Sequence, residues 1–420
     1  MPQYWTPTRI GDICKTNQQT YSVSEKWPFV NYLDTGSITE NCVSEIQHLV
    51  TGRDALPSRA RRKIALDDIL YSTVRPNQRH YGIIKEILPN MLVSTGFAVI
   101  TIDKTLADST FLYYYLSQNK IVDRLQAIGE QSVSAYPSIK PSDIEELELM
   151  LPPLPEQITI GHTLRALEDK IANNTNINHH LEQMAQAIFK SWFVDFEPFA
   201  NEGLVESELG EIPVGWNIQS IEAIAEKIAM GPFGSNIKVE TFVESGVPII
   251  SGNHLRGLYL DELEYNFITE EHARRLSNSL VRAGDIIFTH AGNIGQVALI
   301  PDDCEYPYYV ISQRQFYLRC DRKKAVPEYI NYYFHSREGQ GKLLANTSQT
   351  GVPSIARPAS HLKSIVVPVP PIEVQIKWLN TVKPIFQTLH INSKENKRLT
   401  ATRDSLLPRL VSGELSVVPL

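Results

Sequence analysis

The chain carries the same pattern of residues twice, and this repeat constrains its fold more than any other feature. The segment YPSIKPSDIEELELMLPPLPEQ ends a first copy at Gln157, and VPSIARPASHLKSIVVPVPPIEVQ ends a second copy at Gln375. The two glutamines lie 218 positions apart (375 − 157 = 218) in a chain of 420 residues. In each copy a β-like region leads through a pair of prolines into a long helical pattern. The repeat therefore predicts two similar modules, each followed by its own helix.

The composition is typical of a globular protein with more than one domain. Hydrophobic residues make up 42% and charged residues 21% of the 420 residues, which is ordinary for such proteins. No apolar run is long enough for a transmembrane helix, and the N-terminal MPQYWTPTRIGD lacks the pattern of a signal peptide. The four cysteines are widely spaced without a CxxC motif. We therefore expect a reduced, cytoplasmic protein without structural zinc.

Each module is predicted to mix strands and helices. Residues 214–368 repeat the plan of residues 1–150, with PIISG, DIIFTH, YVISQRQFYL and EYINYYFHSREGQGKLL in the same order. A single helical pattern, FLYYYLSQNKIVDRLQ, follows Asp108–Ser109, which could cap it. The strand-like runs of the first copy are Trp27–Leu33, Ile69–Val74 and Met91–Ile102.

A heptad pattern follows each pair of prolines. In the first helix the a and d positions run from Ile160 to Ile188 at alternating spacings of four and three, and adding 218 reproduces them from Trp378 to Leu406. Pro384 predicts a kink or a late start in the second helix, and Arg403 replaces Ala185. Asparagine within an apolar seam lowers stability but fixes the register of a coiled coil. Both seams contain two, namely Asn174, Asn178, Asn392 and Asn396.

Chain connectivity predicts that the two helices pair in antiparallel orientation. The second module begins where the first helix ends and finishes where the second helix begins, so both of these points lie near that module. Seams centred on each other place Asn174 opposite Asn396 and Asn178 opposite Asn392. The alternative is that each helix packs separately on its own module. Residues 158–192 would span roughly 50 Å at about 1.5 Å per residue, the length of about 13–15 base pairs of DNA.

The charge distribution favours local rather than global attraction to nucleic acid. The net charge of −7 argues mildly against nucleic-acid binding, but between Arg53 and Glu86 eight basic residues stand against four acidic ones. A binding footprint depends on such local clusters, although a solvated charged surface is the alternative. The second copy contains loops rich in glycine, asparagine and serine, and loops on a rigid scaffold often hold recognition residues. These loops are GPFGSN, SGNHLRG, HAGNIG and NTSQTG.

The sequence contains no familiar catalytic or cofactor motif. It has no GxxxxGK[ST] phosphate loop, no GxGxxG opening a βαβ unit, no Asn-Pro-Pro-aromatic motif and no HExxH or CxxC metal pattern. No nucleophile stands beside a candidate base. We therefore expect a binding protein that is not an enzyme and has neither a metal nor a cofactor of its own.

Three strings support a resemblance to a known family. They are MAQAIFKSWFVDFEPF, which ends at Phe199, GDIIFTHAGNIG, and LLPRLVSGEL near the C-terminus. Together with the order of module, proline-rich junction, heptad helix, module and second helix, they resemble the specificity (S) subunit of type I restriction–modification enzymes. The resemblance covers essentially the whole chain, and the first string is its most specific part.

The resemblance implies an α+β architecture of two tandem α/β target recognition domains and two long helices in an antiparallel coiled coil with pseudo-two-fold symmetry. Each domain would read half of a bipartite, asymmetric site in double-stranded DNA. The helices would set the spacer and dock modification (M) subunits, with two expected, which carry S-adenosylmethionine and the adenine methyltransferase site. Restriction (R) subunits would bring ATP and Mg. The implied segments are domains at 1–152 and 198–369, helices at 153–197 and 370–413, and a tail at 414–420.

Candidate DNA contacts are polar and basic residues on predicted loops, because such side chains reach base edges and phosphates. For each, a loop cap or a surface charge is the alternative. A DNA-modifying enzyme with a cryptic active site and a protein-binding scaffold also stay open as functions. Trp192 and Phe193 are candidates for a contact with the M subunit, with packing in a core as the alternative. The candidates in the first copy are Arg59, Arg61, Arg62, Arg75, Asn77, Gln78 and Arg79. The candidates in the second copy are Ser235, Asn253, Arg256, His290, Asn293, Gln313 and Arg314.

Overall fold

The computed structural model describes residues 4–132, 136–234, 236–261, 264–348 and 351–417. The chain forms two compact units. The first unit consists of Met1–Asn178 together with His390–Leu420, and the second unit is His179–Leu389. None of the helices in these described ranges is long and apolar enough to cross a membrane.

The first unit is an α/β fold built on two four-stranded sheets with the strand orders β6-β3-β10-β7 and β2-β11-β8-β9. β3 and β10 run parallel, whereas β1 and β12 form a separate antiparallel pair. Its strands are β1 Thr6–Arg9, β2 Cys14–Thr16, β3 Phe29–Leu33, β4 Ile38–Thr39, β5 Cys42–Val43, β6 Gln47–Val50, β7 Ala60–Arg62, β8 Ile69–Ser72, β9 Tyr81–Ile83, β10 Met91–Ser94, β11 Phe97–Ile102 and β12 Glu148–Leu151. Its helices are α1 Ile10–Ile13, α2 Ser109–Ser117, α3 Asn119–Glu130, α4 Pro141–Glu145, the greater part of α5 Leu154–Phe193 and the later part of α11 Ile372–Val411.

The second unit has the same two sheets, with the orders β18-β17-β22-β19 and β16-β23-β20-β21. β17 and β22 are again parallel, and β15 pairs with β26 as β1 pairs with β12. Its strands are β13 Leu204–Ser207, β14 Gly210–Pro213, β15 Asn217–Ser220, β16 Ala225–Met230, β17 Val247–Ile250, β18 Asn266–Ile268, β19 Leu280–Val281, β20 Asp285–Thr289, β21 Val297–Leu299, β22 Tyr309–Ile311, β23 Gln315–Cys320, β24 Thr347–Ser348, β25 Ser354–Ile355 and β26 Val366–Val369. Its helices are the end of α5, α6 Ile221–Ile224, α7 Glu270–Arg275, α8 Pro327–His335, α9 Arg337–Leu344, α10 Pro358–Ser364 and the first part of α11 Ile372–Val411.

Two of the elements predicted in the first unit need correction. The helix predicted from FLYYYLSQNKIVDRLQ is divided into α2 and α3, because Gln118 has an extended backbone and its side chain donates to the Tyr115 carbonyl at 3.0 Å. The predicted start is confirmed, since the Asp108 carboxylate accepts a hydrogen bond from the Phe111 backbone at 2.8 Å. The run Met91–Ile102 is also two strands, in different sheets, which separate at a turn through Gly96.

The late start predicted for the second helix is wrong. α11 begins at Ile372 and continues through Pro384 as one helix. Proline in a helix interior costs about 3 kcal/mol because it removes a hydrogen bond and its ring crowds the preceding turn. Here Trp378, Val382 and Phe386 are all buried on the two sides of Pro384, and their packing holds the helix together.

The repeated glutamines at the proline-rich junctions are clamps between each long helix and its module. Gln157 is fully buried, accepts a hydrogen bond from the Asp108 backbone at 2.9 Å and donates to the Pro152 carbonyl at 2.8 Å. Gln375 makes the same two bonds in the second unit, to Val326 and Pro370 at 2.8 Å each. Each glutamine thus joins the start of a long helix to the loop before α2 or α8.

The predicted asparagine pairs are present within the first unit. Asn174 is 1% exposed and donates to Asn396 at 2.9 Å and to Glu395 at 2.7 Å. Asn392 donates to Asn178 at 2.8 Å. Each amide therefore finds a partner on the other helix, which removes much of the cost of burying it.

The apolar positions of the same two helices meet in the core of the second unit. Ala185 and Phe189 of α5 share a buried cluster with Trp378, Val382 and Phe386 of α11. The rings of Phe189 and Trp378 lie 5.7 Å apart. This cluster also contains side chains of the sheet and of α8, so the helices are anchored to the second unit by a common core.

Arg403, which takes the place of Ala185 in the repeat, is accommodated by an ion pair. Its guanidinium lies 3.5 Å from the carboxylate of Glu168, and Glu168 also accepts a hydrogen bond from the Tyr114 hydroxyl at 2.8 Å. The residues that correspond in the second unit are Ala185 and Phe386, both buried in its core. The first unit therefore replaces an apolar contact between the helices with a charged one.

Candidate nucleic-acid interface

In the second unit, four predicted recognition residues line one concave site of about 370 Å³. Asn253 comes from the turn after β17, Asn293 from the loop between β20 and β21, and Gln313 and Arg314 from the turn between β22 and β23. All four side chains are exposed. Residues from three separate loops thus converge on one surface that presents amide and guanidinium groups, the groups that read base edges.

The backbone holds these loops together. His290 N–H donates to the Arg314 carbonyl at 2.9 Å, and the His290 carbonyl accepts from Ile355 N–H at 2.8 Å. Gly292 and Gly295 have φ angles of 86° and 84°, a left-handed conformation that glycine adopts without strain. The HAGNIG sequence therefore permits a tight loop that is tied on one side to the β22–β23 turn and on the other to β25.

His290 and Arg256 lie at the margin of this site. His290 is half-buried, its Nε2 lies 3.2 Å from the Gln313 carbonyl, and burial lowers the pKa of its imidazole. Its contact with the Gln313 carbonyl positions the turn that holds Gln313. Arg256 is exposed and lines an adjoining depression together with Asn293. Ser235, the remaining candidate of this unit, lies outside the described residues.

In the first unit the candidates fall into two groups. Arg61 and Arg62 are half-buried residues of β7, and Arg59 is exposed immediately before this strand. The Nε of Arg62 is buried without a hydrogen-bond partner in the described part of the chain. The Arg61 carbonyl accepts from Tyr21. Of this group, Arg59 is the residue with its side chain in solvent.

The second group occupies the loop between β8 and β9, where Pro76–Gln78 form a 3₁₀ turn flanked by Arg75 and Arg79 in left-handed conformation. Asn77 and Gln78 are exposed. Arg75 stacks on Tyr136, with its guanidinium carbon 4.6 Å from the ring centroid.

Arg79 differs from its neighbours because its guanidinium is already occupied. It donates to Asn119 at 2.6 Å and to the Tyr81 hydroxyl at 3.3 Å, and it pairs with Glu40 at 3.4 Å. A guanidinium with three protein partners has little capacity left for a base. The geometry favours the alternative given to Arg79, a residue that holds its loop in place.

Sequence reasoning passed over Phe233, which is 85% exposed. It lies in the GPFGSN loop directly after β16. The nearby Gly231 donates its N–H to the Gln315 carbonyl at 2.7 Å, and a Cβ at Gly231 would stand only 2.0 Å from the Ser312 carbonyl oxygen. The loop is thus held against the β22–β23 turn. The two glycines of this loop were a signal for close backbone approach, but nothing in the sequence distinguished Phe233 from a core aromatic.

The two candidate partner-binding residues have different surroundings. Phe193 is 5% exposed and packs in the core of the second unit, with its ring 5.8 Å from that of Trp216 and 4.7 Å from that of Tyr329. Phe193 is therefore a core residue of the second unit, as the alternative to a partner contact predicted. Trp192 is half-buried, and the ammonium of Lys377 lies 5.9 Å from its ring centroid. Trp192 is therefore partly exposed, unlike Phe193.

Within the described ranges no group of three or more histidine, cysteine, aspartate or glutamate side chains could hold a metal ion. The ion pair of Arg319 with Asp285 at 2.6 Å in the second unit is structural, because the same Asp285 accepts a hydrogen bond from the Arg282 backbone at 2.9 Å. Asp68 accepts the equivalent bond from Ala65 in the first unit. These carboxylates fix the turns before β8 and β20.

Known proteins similar to this chain share one description. The chain is 25% identical over 469 residues to the HindI specificity subunit of a type I restriction enzyme from Haemophilus influenzae, covering 98% of this chain and 99% of that protein. It is 25% identical over 440 residues to the MjaIX specificity subunit from Methanocaldococcus jannaschii, covering 100% and 95%. The crystal structure of a type I restriction–modification S subunit from M. genitalium has the same fold, with a TM-score of 0.62, 16% identity and coverage of 98% and 97%.

The family model described as "Type I restriction modification DNA specificity domain" matches this chain twice, at residues 2–183 and 213–401. The two matches correspond to the two copies of the repeat and together span most of the sequence. The chain therefore belongs to the family of type I restriction–modification DNA specificity proteins.

Proposed function

We propose that this chain is the DNA-recognition subunit of a type I restriction–modification complex, and that it is not itself an enzyme. The observation that carries the proposal is the duplicated unit: both copies have the same strand orders and hold their recognition loops through matching backbone bonds. Two similar binding units on one chain suit a bipartite DNA site, each half being read by one unit. Different loop residues in the two units would make the two half-sites different, so the whole site would be asymmetric.

In the second unit, the concave site supplies the chemistry of base recognition. Arg314 can form two parallel hydrogen bonds with guanine, whereas Asn253, Asn293 and Gln313 carry amides that match adenine. The neighbouring Arg256 would neutralise phosphates and position the unit on the duplex. We assign the target recognition domains to residues 1–152 and 198–369.

The long helices, in segments 153–197 and 370–413, would form an antiparallel coiled coil that fixes the distance between the half-sites. The hydrogen bond between Asn174 and Asn396 in one unit and the packing of Phe189 on Trp378 in the other support this pairing. A buried asparagine pair loses its bonds when the register slips, so these pairs would hold the spacer at one length.

The helices would also dock methyltransferase subunits, two being expected from the duplication. Trp192 is the candidate contact, because part of its ring is exposed on α5 beside Lys377. S-adenosylmethionine would then bind the M subunit, and ATP with Mg the R subunit.

The experiment is methylome sequencing of a methylation-deficient host that expresses this chain with its neighbouring methyltransferase subunit, with each protein alone as a control. We expect a split, asymmetric methyladenine motif only when both proteins are present. Trp192→Ala should weaken co-purification of the two proteins, whereas Arg256→Ala should leave co-purification unchanged and lower methylation.

A motif produced by this chain alone would instead assign it a catalytic site. If this chain and the methyltransferase subunit fold and associate but produce no motif, and if the chain shows no salt-dependent DNA affinity, the chain is a protein-binding scaffold. Each outcome separates one of the three functions from the other two.

A further inference from the structure

The first unit joins three segments in the same way as the concave site of the second unit, and it brings two threonines that the sequence did not distinguish beside the candidate Arg59. In the second unit, His290 N–H donates to Arg314 at 2.9 Å, and Ile355 N–H donates to His290 at 2.8 Å. In the first unit, Thr73 N–H donates to Gly96 at 2.8 Å, and Ile139 N–H donates to Thr73 at 2.8 Å. The loop after β8 and the β10–β11 turn are therefore joined in the same way as the loop after β20 and the β22–β23 turn.

The turn after the parallel strand also corresponds in the two units. Ser37 N–H donates to Asp34 at 3.1 Å after β3, as His254 N–H donates to Ser251 at 3.0 Å after β17. Because β3 pairs with β10 and β17 pairs with β22 in the same parallel sense, both turns leave the sheet beside the same neighbour. Three segments thus converge in each unit.

Contacts in the first unit place specific side chains at this convergence. A Cβ built at Gly96 would lie 2.8 Å from Cγ2 and 3.8 Å from Oγ1 of Thr35, so Thr35 lies against the β10–β11 turn. Thr95, at the tip of that turn, donates its N–H to the Arg59 carbonyl at 2.8 Å. Thr95 and Arg59 have exposed side chains and Thr35 is half-exposed.

The chemistry of these three residues suits base and phosphate contact. In the described part of the chain, neither threonine hydroxyl has a hydrogen-bond partner, so each can donate to or accept from a base. Arg59 likewise makes no ion pair there, in contrast to Arg79, which has three partners. Gln313 occupies the position in the second unit that corresponds to Thr95.

We infer that the first unit reads its half of the DNA site through Thr35, Thr95 and Arg59, at the convergence of these three segments. This inference rests on the proposed function and specifies the residues that carry it out in the first unit. The threonine hydroxyls contact base edges and Arg59 contacts a base or its adjoining phosphate. Arg61 and Arg79 shape the loops around them.

The test is methylome sequencing of the complete complex with variants in each unit. Thr35→Val/Thr95→Val removes two hydroxyls without changing side-chain volume, and Thr95→Ser keeps the hydroxyl. We expect the valine variant to relax at least one position in one half-site, with about a tenfold loss of discrimination against the wrong base, and Thr95→Ser to keep the wild-type motif. Gln313→Ala, the control in the second unit, should alter only the other half-site.

The inference is overturned if the valine variant methylates the wild-type motif with unchanged discrimination while Arg61→Ala or Arg79→Ala changes the same half-site. It is also overturned if the valine variant alters the half-site that Gln313→Ala alters. If the wild-type complex yields no split motif, the proposed function itself fails, and this outcome is read from the wild type alone. If the double valine variant does not fold, it will lose methylation at both half-sites. In that case the single variant Thr95→Ala, with Thr35 intact, takes its place in the test.

Discussion

Replacing Arg403 by alanine tests how the first unit tolerates a charge between its two long helices. In the native chain Arg403 lies 3.5 Å from Glu168, and the Tyr114 hydroxyl donates to the same carboxylate at 2.8 Å. Arg403→Ala removes one of these two partners of the carboxylate and leaves the hydrogen bond from the Tyr114 hydroxyl. We expect the helices of the first unit to open more readily.

The size of the destabilisation by Arg403→Ala depends on how deeply the Arg403–Glu168 pair is buried. The side chains of Arg403 and Glu168 are 29% and 27% exposed. Exposed pairs contribute up to about 1 kcal/mol, whereas removing one partner of a fully buried pair costs about 3–5 kcal/mol. A pair that lies between these limits should lose about 2 kcal/mol, which corresponds to on the order of a 30-fold change in an opening equilibrium.

The destabilisation by Arg403→Ala should depend on pH and should be larger at high pH than at low pH. Burial raises the pKa of the Glu168 carboxyl, while the bond from Tyr114 and the charge of Arg403 oppose that rise. A raised pKa in the folded state means that ionised Glu168 lowers stability at high pH and that this cost disappears as the pH falls through the raised value. Without Arg403 the cost of ionised Glu168 is larger. The destabilisation by Arg403→Ala should therefore be greatest near pH 8 and decrease towards acid pH.

Hydrogen exchange measured by mass spectrometry can resolve this local opening, since it reports the helix segments 160–178 and 390–411 separately from the second unit. The control is Glu168→Gln/Arg403→Ala, in which no carboxylate remains to be ionised. This double variant should open less readily than Arg403→Ala at pH 8 and should show little dependence on pH. The charged contact does not stabilise the helices if Arg403→Ala destabilises them equally at pH 8 and pH 5.5. The same conclusion follows if adding Glu168→Gln to Arg403→Ala does not restore stability.

Four further predictions concern spacer length, base reading, acid stability and the helix clamps. Inserting one heptad after Asn176 and another after Lys394 should lengthen the gap of the DNA motif by about 3 base pairs, because seven residues add about 10.5 Å to each helix. Methylome sequencing measures this gap. An insertion in one helix alone should abolish methylation. Arg314→Ala should cost about 1–3 kcal/mol of DNA affinity and relax one position of the target, whereas equal weakening on all sequences in a binding assay would make it a phosphate contact. Burial lowers the pKa of His335, so the second unit should lose stability in thermal melts as the pH falls below about 6.5, and His335→Gln should reduce that loss. Gln157→Ala removes the partner of the half-buried Asp108 N–H and of the Pro152 carbonyl, and it should cost about 2–4 kcal/mol in urea denaturation.

The sequence was most informative where a local rule and the repeat agreed. Asp108 begins α2 as a capping residue should, and the pairing of Asn174 with Asn396 followed from the heptad positions and the connectivity of the chain. Both depend on spacing along one or two helices. Such spacing can be read directly from a sequence because an α-helix has a fixed period.

Prediction failed where tertiary contacts decide the local conformation. Gln118 interrupts the helical pattern by bonding its own side chain to the preceding turn, and α11 begins before Pro384 rather than after it because neighbouring residues are buried. The basic residues of the first unit were chosen for their charge, but Arg79 is neutralised by Glu40 and bonded to Asn119. These partners are 39 and 40 positions away along the chain from Arg79, which a reading of local charge does not detect.

The repeated residues and the divergent ones have separate roles. Gln157 and Gln375 make the same clamps, and Ile139 and Ile355 make the same bond to the loop after β8 or β20. These positions hold the loops without contributing a side chain to the concave surface. The side chains at the tips of the β10–β11 and β22–β23 turns, Thr95 and Gln313, differ between the copies, although each turn accepts the same backbone hydrogen bond from the loop after β8 or β20. Because the holding bonds come from backbone atoms and from the repeated glutamines, side chains at the tips can change without disturbing the scaffold. A duplicated unit can in this way present two different recognition surfaces, which is the requirement for reading an asymmetric site with one repeated fold.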